Sequence, residues 1–250
     1  MNIDLNFLLY IGVGFVAQFI DGALGMAYGV ISNSFLLGLG FPPAIASATV
    51  HSAEVILTGV SGFSHFKFGN VDKRLFLRLI IPGVIGGVLG AYILTHIPGN
   101  KIKPYIAIYL LGMGIFILIR GIRKMKEKYV KNPYFISGLG TFGGFCDAVG
   151  GGGWGPIVTS TIMASGHTPR KTIGSVNASE FFVTVAESVT FFLTIGLGYW
   201  KIMIGILIGG LIAAPLAAYS CKKIPSRPLM IMVGILILLT SVRTLYLVLR

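Results

Sequence analysis

The sequence is short of charge, and above all of acidic residues. Aspartate and glutamate together number 8 in 250 residues, and charged residues of both signs make up 11%. Soluble domains carry about a quarter charged residues, so this composition excludes a soluble globular protein. With 54% hydrophobic residues and a mean hydropathy of +0.85, the chain is that of a polytopic membrane protein.

Cysteine and paired histidines are also scarce. Only Cys146 and Cys221 are present, both in apolar sequence, which argues against a disulfide framework. No two of the 4 histidines have the spacing of a zinc-binding pair, so we predict no metal site and no cofactor. Since no long polar stretch occurs either, we expect one domain that lies wholly in the membrane.

The net charge of +12 comes from Lys and Arg in short clusters between apolar segments. At such positions basic residues interact with anionic lipid and fix the orientation of the spans. We therefore expect membrane lipid as a partner and no nucleic acid. The first apolar run lacks a basic region before it, which favours a retained span over a cleaved signal peptide.

Ten apolar segments follow one another along the chain. Several are shorter than the ~20 residues that a helix needs to cross a bilayer. The short segments flank glycine-rich stretches, so we predict broken helices or re-entrant hairpins, which are tolerated where they are buried in protein or line a cavity. The segments span residues 5–20, 23–40, 44–66, 75–96, 104–120, 133–146, 153–165, 172–197, 202–221 and 229–247.

The two halves of the sequence match each other. An offset of 126 places Asp21 on Asp147, and Glu54 on Glu180. We interpret this as duplication of one unit. The predicted single domain, residues 1–250, then consists of repeat one (1–122), a basic link (123–132) and repeat two (133–250).

The basic clusters predict how the repeats are oriented. With five segments in each repeat, four clusters fall on one side of the membrane, which the positive-inside rule makes cytoplasmic. They are Lys67–Arg78, Arg120–Lys131, Arg170–Lys171 and Lys222–Arg227. An odd number of segments inverts one repeat relative to the other and places binding sites near the midplane, where the repeats meet. The predicted fold is therefore all-α: a polytopic membrane helical bundle of two inverted repeats.

Five of the acids lie within apolar sequence, where ionisable groups are costly and usually mark a pathway for substrate or ions. We predict that these five residues couple transport to protons or another ion: Asp21, Glu54, Asp147, Glu180 and Glu187. For the two aspartates, the alternative is capping of a following helix. For the others, it is hydrogen bonding between helices.

Two predicted helices carry matching polar faces, with residues spaced three, four and three apart. One face consists of His51, Glu54, Thr58 and Ser61. The other consists of Asn177, Glu180, Thr184 and Glu187. We expect these faces to look at each other across a central cavity.

A run of four glycines precedes Trp154. Amides without side chains approach a ligand closely, and a helix that begins near Trp154 would direct its amides toward an anion. Close helix packing is the alternative, and the run lacks the Lys and Ser or Thr of a Walker loop. The predicted substrate-binding residues are Gly150, Gly151, Gly152, Gly153, Trp154, Asn177 and His51.

Three motifs resemble the TauE/SafE family of sulfite exporters and related anion carriers. They are DAVGGGGWGP (147–156), GSVNASEFF (174–182) and the duplicated counterpart that runs from Asp21 through HSAE (51–54). The resemblance covers essentially the whole chain. It implies transport of small sulfur-containing anions, such as sulfite or sulfoacetate, by a multi-pass protein of the cytoplasmic membrane. Repeat one has fewer glycines than repeat two, which places the substrate nearer Gly150–Trp154 and Asn177, with His51 across the pseudo-dyad.

The predicted function is therefore secondary transport of a small anion, coupled to protons. Because the predicted cavity holds more acids than bases, a sodium- or proton-coupled carrier of a cation or another small metabolite is the alternative. An intramembrane enzyme is disfavoured, since no serine lies in a nucleophile turn such as GxSxG. We predict no catalytic residues.

Overall fold

A computed structural model describes residues 5–24, 26–123, 132–165, 167, 169–196, 198–221 and 226–249. Most of the basic link, residues 124–131, and residues 222–225 of the last basic cluster lie outside the described residues. Within the described ranges the structure contains ten α-helices and one π-helical turn. They are α1 (Leu5–Leu24), α2 (Tyr28–Gly38), α3 (Pro43–Lys67), α4 (Lys73–His96), α5 (Gly99–Ile122), α6 (Pro133–Gly150), the π-turn (Trp154–Thr159), α7 (Ser160–Ala164), α8 (Pro169–Ile195), α9 (Trp200–Cys221) and α10 (Ser226–Leu249).

Local sequence signals explain several helix starts. Pro43 and Pro133 stand at the first position of α3 and α6, where a missing N–H leaves no bond unmade. Asp72 caps α4, because its Oδ1 accepts hydrogen bonds from Arg74 N at 2.8 Å and Leu75 N at 3.2 Å. Asn132 caps α6 in the same way through Tyr134 N at 3.0 Å.

The helix lengths confirm an all-α multi-pass membrane protein. Five helices of the described chain, α3, α4, α5, α8 and α10, contain stretches long and apolar enough to cross a membrane. By contrast, α2 has 11 residues and spans about 16 Å at 1.5 Å per residue. The π-turn and α7 together have a similar length. These two segments are too short to cross the bilayer, as the predicted broken helices require.

The helices pack in pairs that join the two halves of the chain. α1 packs on α9, α4 on α6, α5 on α10, and α8 on both α3 and α4. Glycines allow the close approach: Gly14 lies against the backbone of Ile206 in the first pair, and Gly144 against that of Gly83 in the second. Small residues at crossings are typical of membrane helices.

Apolar side chains form both the core and the outer surface. The larger buried cluster includes Ile31, Leu36, Leu94, Ile106 and Phe191, and a smaller one surrounds Trp154. Many large apolar residues are also exposed on the outer faces of the helices, where hydrocarbon replaces water as the solvent; examples are Phe63, Phe66, Ile81, Ile108, Leu193 and Leu239.

Candidate functional site

A cavity of about 320 Å³ lies where the two helix breaks meet the crossing of α3 and α8. Four of the five predicted acids line it: Asp21, Glu54, Asp147 and Glu180. Neutral polar residues complete the polar part of its wall, namely Gln18, Tyr28, Thr58, Ser61 and Asn177. The cavity therefore combines a high density of carboxyl groups with amide and hydroxyl groups.

The cavity wall has no lysine or arginine among its described residues, and His65 is its one basic side chain. His65 lies in the last turn of α3 and its Nδ1 is 3.3 Å from Asn70 Nδ2. Four carboxylates so close together repel one another and any anion. Protons or bound cations are needed to neutralise them.

Asp147 holds the break between α6 and the π-turn in place. Its Oδ1 accepts hydrogen bonds from Gly153 N at 2.5 Å and Trp154 N at 2.8 Å. The chain turns at Gly151, whose φ of 66° lies in the left-handed region that favours glycine. The two amides that the sequence predicted to face an anion thus already have an acceptor in the protein, as the capping alternative requires.

Asp21 repeats this arrangement at the other break. Its Oδ1 accepts a hydrogen bond from Tyr28 N at 3.2 Å, at the first residue of α2. In both cases the aspartate caps a helix that begins seven residues later in the sequence. Each aspartate also lines the cavity, so capping and ligand contact do not exclude each other.

The glycine run packs tightly against α2 and α5. Asn33 Nδ2 donates a hydrogen bond to Gly150 O, and Tyr109 OH donates one to Gly152 O at 3.3 Å. A Cβ atom at Gly29 would lie 2.7 Å from Gly151 O, closer than real contacts allow. Among the four glycines, Gly152 and Gly153 line the cavity, whereas Gly150 and Gly151 serve the packing.

Trp154 lies in the protein core rather than in the cavity. Its side chain is fully buried, and Nε1 donates a hydrogen bond to Val176 O at 3.2 Å. The indole packs beside Gly83 of α4 and within the smaller apolar cluster. Of the predicted ligand residues, Trp154 therefore contributes its backbone amide to the region of the cavity and keeps its ring away from it.

The polar faces of α3 and α8 are closer than predicted. Thr58 Oγ1 lies 3.4 Å from Thr184 Oγ1, and Ser61 Oγ lies 3.4 Å from Asn177 Oδ1. The faces thus contact each other directly, and the cavity lies beside their crossing instead of between them. Gly62 permits this approach, because a Cβ atom there would stand 3.1 Å from the Cα of Ala178.

His51 occupies a fully buried position on the other side of that crossing. Its Nδ1 is 3.2 Å from Glu54 Oε2 and 3.2 Å from Glu187 Oε2, and its Nε2 is 3.1 Å from Asp147 O. The ring lies parallel to that of Phe191, with centroids 6.2 Å apart. His51 and Glu187 do not line the cavity, so Glu54 connects this cluster to it.

Three residues of this cluster also fit a metal-ligand set. His51, Asp147 and Glu187 each offer a ligand atom, and these atoms lie within 4.8 Å of one another. They come from three different helices, so no sequence spacing reveals them. One imidazole and two carboxylates are ligands that zinc and related ions accept.

Some residues of the site were missed from the sequence. Ser47 donates a hydrogen bond to Ala148 O at 2.5 Å, and it supports the end of α6 together with Asn33. Both are polar residues in apolar sequence, and that signal was available. Gln18 carries the same signal in α1, whereas Tyr109 on α5 has none that separates it from a membrane-interface tyrosine.

Comparison with known proteins gives concordant results. The sequence profile of the family described as "Sulfite exporter TauE/SafE" matches residues 10–244. "Probable membrane transporter protein YtnM" of Bacillus subtilis is 43% identical over 246 residues, 95% of this chain and 82% of the relative. "Probable membrane transporter protein ORF9" of Sinorhizobium sp is 26% identical over 88% of this chain and 86% of the relative.

A plant protein shares part of the sequence. "Sulfite exporter TauE/SafE family protein 3" of Arabidopsis thaliana is 25% identical over 119 residues, 46% of this chain and 25% of the relative. No solved structure matches the chain significantly.

Proposed function

Because the chain belongs to the sulfite exporter TauE/SafE family of membrane transporters, we propose that it is a secondary transporter of a small sulfur-containing anion, such as sulfite or sulfoacetate. Protons move with the anion, and the protein acts in the cell membrane without catalytic chemistry. The binding site is the cavity between the two helix breaks.

One observation is the basis for proposing proton coupling. Four carboxyl groups line a cavity that has no lysine or arginine among its described residues. An anion enters such a cavity only when the carboxyl groups are neutral. Once they are protonated, the carboxyl groups themselves can donate hydrogen bonds to an anion, together with the amide of Asn177, which keeps one N–H beyond the one that it donates to Ile173 O. Anion and protons therefore bind together.

Asp147 accommodates a proton without losing its structural role. Its Oδ1 accepts both amide hydrogen bonds, whereas its Oδ2 is buried and has no hydrogen-bond partner. A proton on Oδ2 leaves the cap on Oδ1 intact. The break in the helix thus tolerates both charge states of the residue.

The helix packing supports the inverted repeat and a site at its interface. Under the offset of 126, the pair α1 and α9 corresponds to the pair α6 and α4, and both pairs are present. The other two pairs, α3 with α8 and α5 with α10, each join a helix to its own counterpart. Residues of both halves line the cavity, as expected for a binding site between inverted repeats.

The position of the cavity indicates which side it faces. It extends from Glu54 to His65 on α3 and from Glu180 to Ile173 on α8. His65 and Ile173 lie close to Lys67 and Lys171, at the basic ends of these helices, which the positive-inside rule places in the cytoplasm. We infer that the cavity lies nearer the cytoplasmic side of the membrane.

The same acid-rich wall favours a second candidate, a sodium- or proton-coupled carrier of a cation. Carboxylate and carbonyl oxygens are good ligands for hard cations. In this case sodium or another cation replaces the protons on the four acids, and no anion is needed to balance them.

Transport by purified protein in proteoliposomes tests the proposal. Uptake of labelled sulfite is measured against sulfate and acetate, with and without an imposed pH gradient, for the wild type, Glu180→Gln and Glu127→Gln. Glu127→Gln makes the same chemical change in the basic link and serves as the control. We expect sulfite flux that the gradient drives in the wild type and the control and that Glu180→Gln loses at least tenfold. If no anion is transported and transport responds to sodium instead, the proposal is rejected in favour of the cation carrier.

A further inference from the structure

The His51 cluster, which consists of His51, Glu54, Asp147 and Glu187, contains three buried side chains that converge from three helices. His51 of α3, Asp147 of α6 and Glu187 of α8 each offer a ligand atom, and these atoms lie within 4.8 Å of one another. All three residues are at most 2% exposed. Water therefore does not solvate their charges, and the protein or a bound ion has to compensate for them.

Each of the three residues has an atom without a hydrogen-bond partner among the described residues. These atoms are Nδ1 of His51, Oδ2 of Asp147 and both carboxylate oxygens of Glu187. Buried carboxylates are costly unless they are paired or coordinate a metal. Because the unpartnered atoms belong to one cluster, a single cation bound by the three side chains compensates for all of them.

Hydrogen bonding determines which nitrogen of His51 is free to bind an ion. A backbone carbonyl only accepts, so Nε2 carries the hydrogen and donates it to Asp147 O at 3.1 Å. Nδ1 of the neutral ring then keeps its lone pair. A histidine that binds a metal typically donates its other N–H to a carbonyl or carboxylate oxygen, which fixes the ring in the orientation seen here.

The distances and the charges also suit a metal ion. His51 Nδ1 lies 3.2 Å from Glu187 Oε2, although neither atom has a hydrogen-bond partner among the described residues. Two ligands of a tetrahedral zinc ion are about 3.3 Å apart, because each lies about 2.0–2.1 Å from the metal. Two carboxylates balance the charge of a divalent ion. The nitrogen ligand favours zinc and related transition metals over calcium and magnesium, which prefer oxygen alone.

The equivalent positions in the two halves of the chain provide a comparison. Under the offset of 126, the three ligand residues correspond to Asn177, Asp21 and Ser61. These three line the cavity, and Ser61 Oγ lies 3.4 Å from Asn177 Oδ1. An amide and a hydroxyl are weaker ligands for such ions than an imidazole and a carboxylate. The counterpart thus suits a polar solute, whereas the His51 cluster suits a metal.

We propose that His51, Asp147 and Glu187 bind a divalent transition-metal ion of the zinc class, which ties α3, α6 and α8 together. This inference goes beyond the proposed transport function and does not depend on it. The ion reaches the site from the cavity, which Asp147 lines. At Asp147 Oδ2 the ion and a coupling proton exclude each other, and either one neutralises the carboxylate. The site departs from the prediction of no metal, because ligands from three helices leave no signature in histidine spacing.

Zinc binding by the purified protein tests this site. The protein is stripped with a chelator, and its affinity for Zn²⁺ is measured by competition with a chromogenic chelator. Glu187→Gln removes a ligand, whereas Glu180→Gln makes the same change on α8 in the cavity wall, outside the ligand set, and serves as the control. We expect Glu187→Gln to weaken binding by about tenfold or more and the control to stay within about threefold of the wild type. A wild type that binds no zinc, or an equal loss in both variants, overturns the proposal.

Cobalt gives a second measurement, in which the wild type alone is informative. Co²⁺ at a site with four or five ligands absorbs visible light much more strongly than the hydrated ion with six. We expect strong absorption when Co²⁺ is added to the stripped wild type. The double variant His51→Asn with Glu187→Ser, which gives the cluster the residues of its counterpart, should lose it. Only the weak spectrum of the hydrated ion in the wild type would overturn the site.

These measurements use no transported anion, so they separate the metal site from the proposed function. A protein that binds zinc as expected but does not transport sulfite supports the metal site and rejects sulfite as substrate. A protein that transports sulfite but binds neither zinc nor cobalt overturns the metal site and leaves the transport proposal intact.

Discussion

Thr58 and Thr184 touch through their hydroxyl groups, with the two Oγ1 atoms 3.4 Å apart, and they stand at the same position in the two halves of the chain. Under the proposed inverted repeat, a residue that contacts its own counterpart lies on the axis that relates the halves. The cavity and the His51 cluster lie on either side of this crossing of α3 and α8.

The position on this axis predicts equal effects of two substitutions. Thr58→Val and Thr184→Val each remove one hydroxyl from the same contact and keep the side-chain shape. We expect each to destabilise the protein by about 0.6 kcal/mol, the average for a hydrogen bond between membrane helices. Thermal unfolding in detergent measures this. A difference of more than about 2 kcal/mol between the variants would contradict the symmetric arrangement.

Substitution of glycine by alanine is predicted to have opposite effects at two positions of α6. Gly144 lies against the backbone of Gly83, so Gly144→Ala forces α4 and α6 apart, whereas a Cβ atom at Gly138 meets nothing within 4 Å. We expect Gly144→Ala to lower the yield of folded protein severely. Gly138→Ala should be neutral or stabilising by up to about 1 kcal/mol, because alanine favours a helix. Size-exclusion profiles and unfolding temperatures of the two variants check this, and equal behaviour would argue against close packing of α4 on α6.

Two substitutions of Asp147 are predicted to separate the effect of its capping hydrogen bonds from the effect of its charge. Asn keeps an oxygen for the amides of Gly153 and Trp154, whereas Ala does not. We expect Asp147→Ala to cost about 1–2 kcal/mol of stability and Asp147→Asn much less. If Asp147 also carries a proton during transport, Asp147→Asn will fold normally and show a changed dependence of sulfite flux on pH. A folded Asn variant with the wild-type pH profile would limit the residue to capping.

Trp154 is predicted to matter for stability rather than for binding. Trp154→Phe removes the hydrogen bond from Nε1 to Val176 O and keeps an aromatic ring in the apolar cluster. We expect a loss of about 1–2 kcal/mol in stability and a KM for the transported anion within about twofold of the wild type. The control Asn177→Ala removes a side chain that lines the cavity and should raise KM clearly. A large rise of KM in Trp154→Phe would instead place the substrate at the indole.

The apolar runs of the sequence were sufficient to predict most of the helices, because such runs and their basic ends follow from the thickness and charge of the membrane. The segment predicted at 44–66 is α3, Pro43–Lys67, and that at 75–96 is α4, Lys73–His96. The segment predicted at 133–146 was too short. α6 continues to Gly150, because Asp147 and the packing against α5 hold the glycines in place.

Contacts between helices were harder to predict than their faces. Spacing places His51 and Glu54 on one side of α3, but it does not determine which residue of α8 they meet. The pairing of His51 with Glu187 depends on the antiparallel crossing at Thr58 and Thr184, which only the structure gives. The sequence left capping by Asp147 as an alternative and did not single it out, since a cap normally stands next to its helix and Asp147 precedes the π-turn by seven residues.

The exchange of partners between the halves affects how the protein is assembled. α1 of the first half packs on α9 of the second, and α4 of the first on α6 of the second, through glycine surfaces that fit a backbone and little else. During synthesis the first five helices therefore enter the membrane with these surfaces unpaired, and they stay so until the second half is made. Neither half has a complete fold of its own, and the two produced as separate chains would become stable only by finding each other in the bilayer.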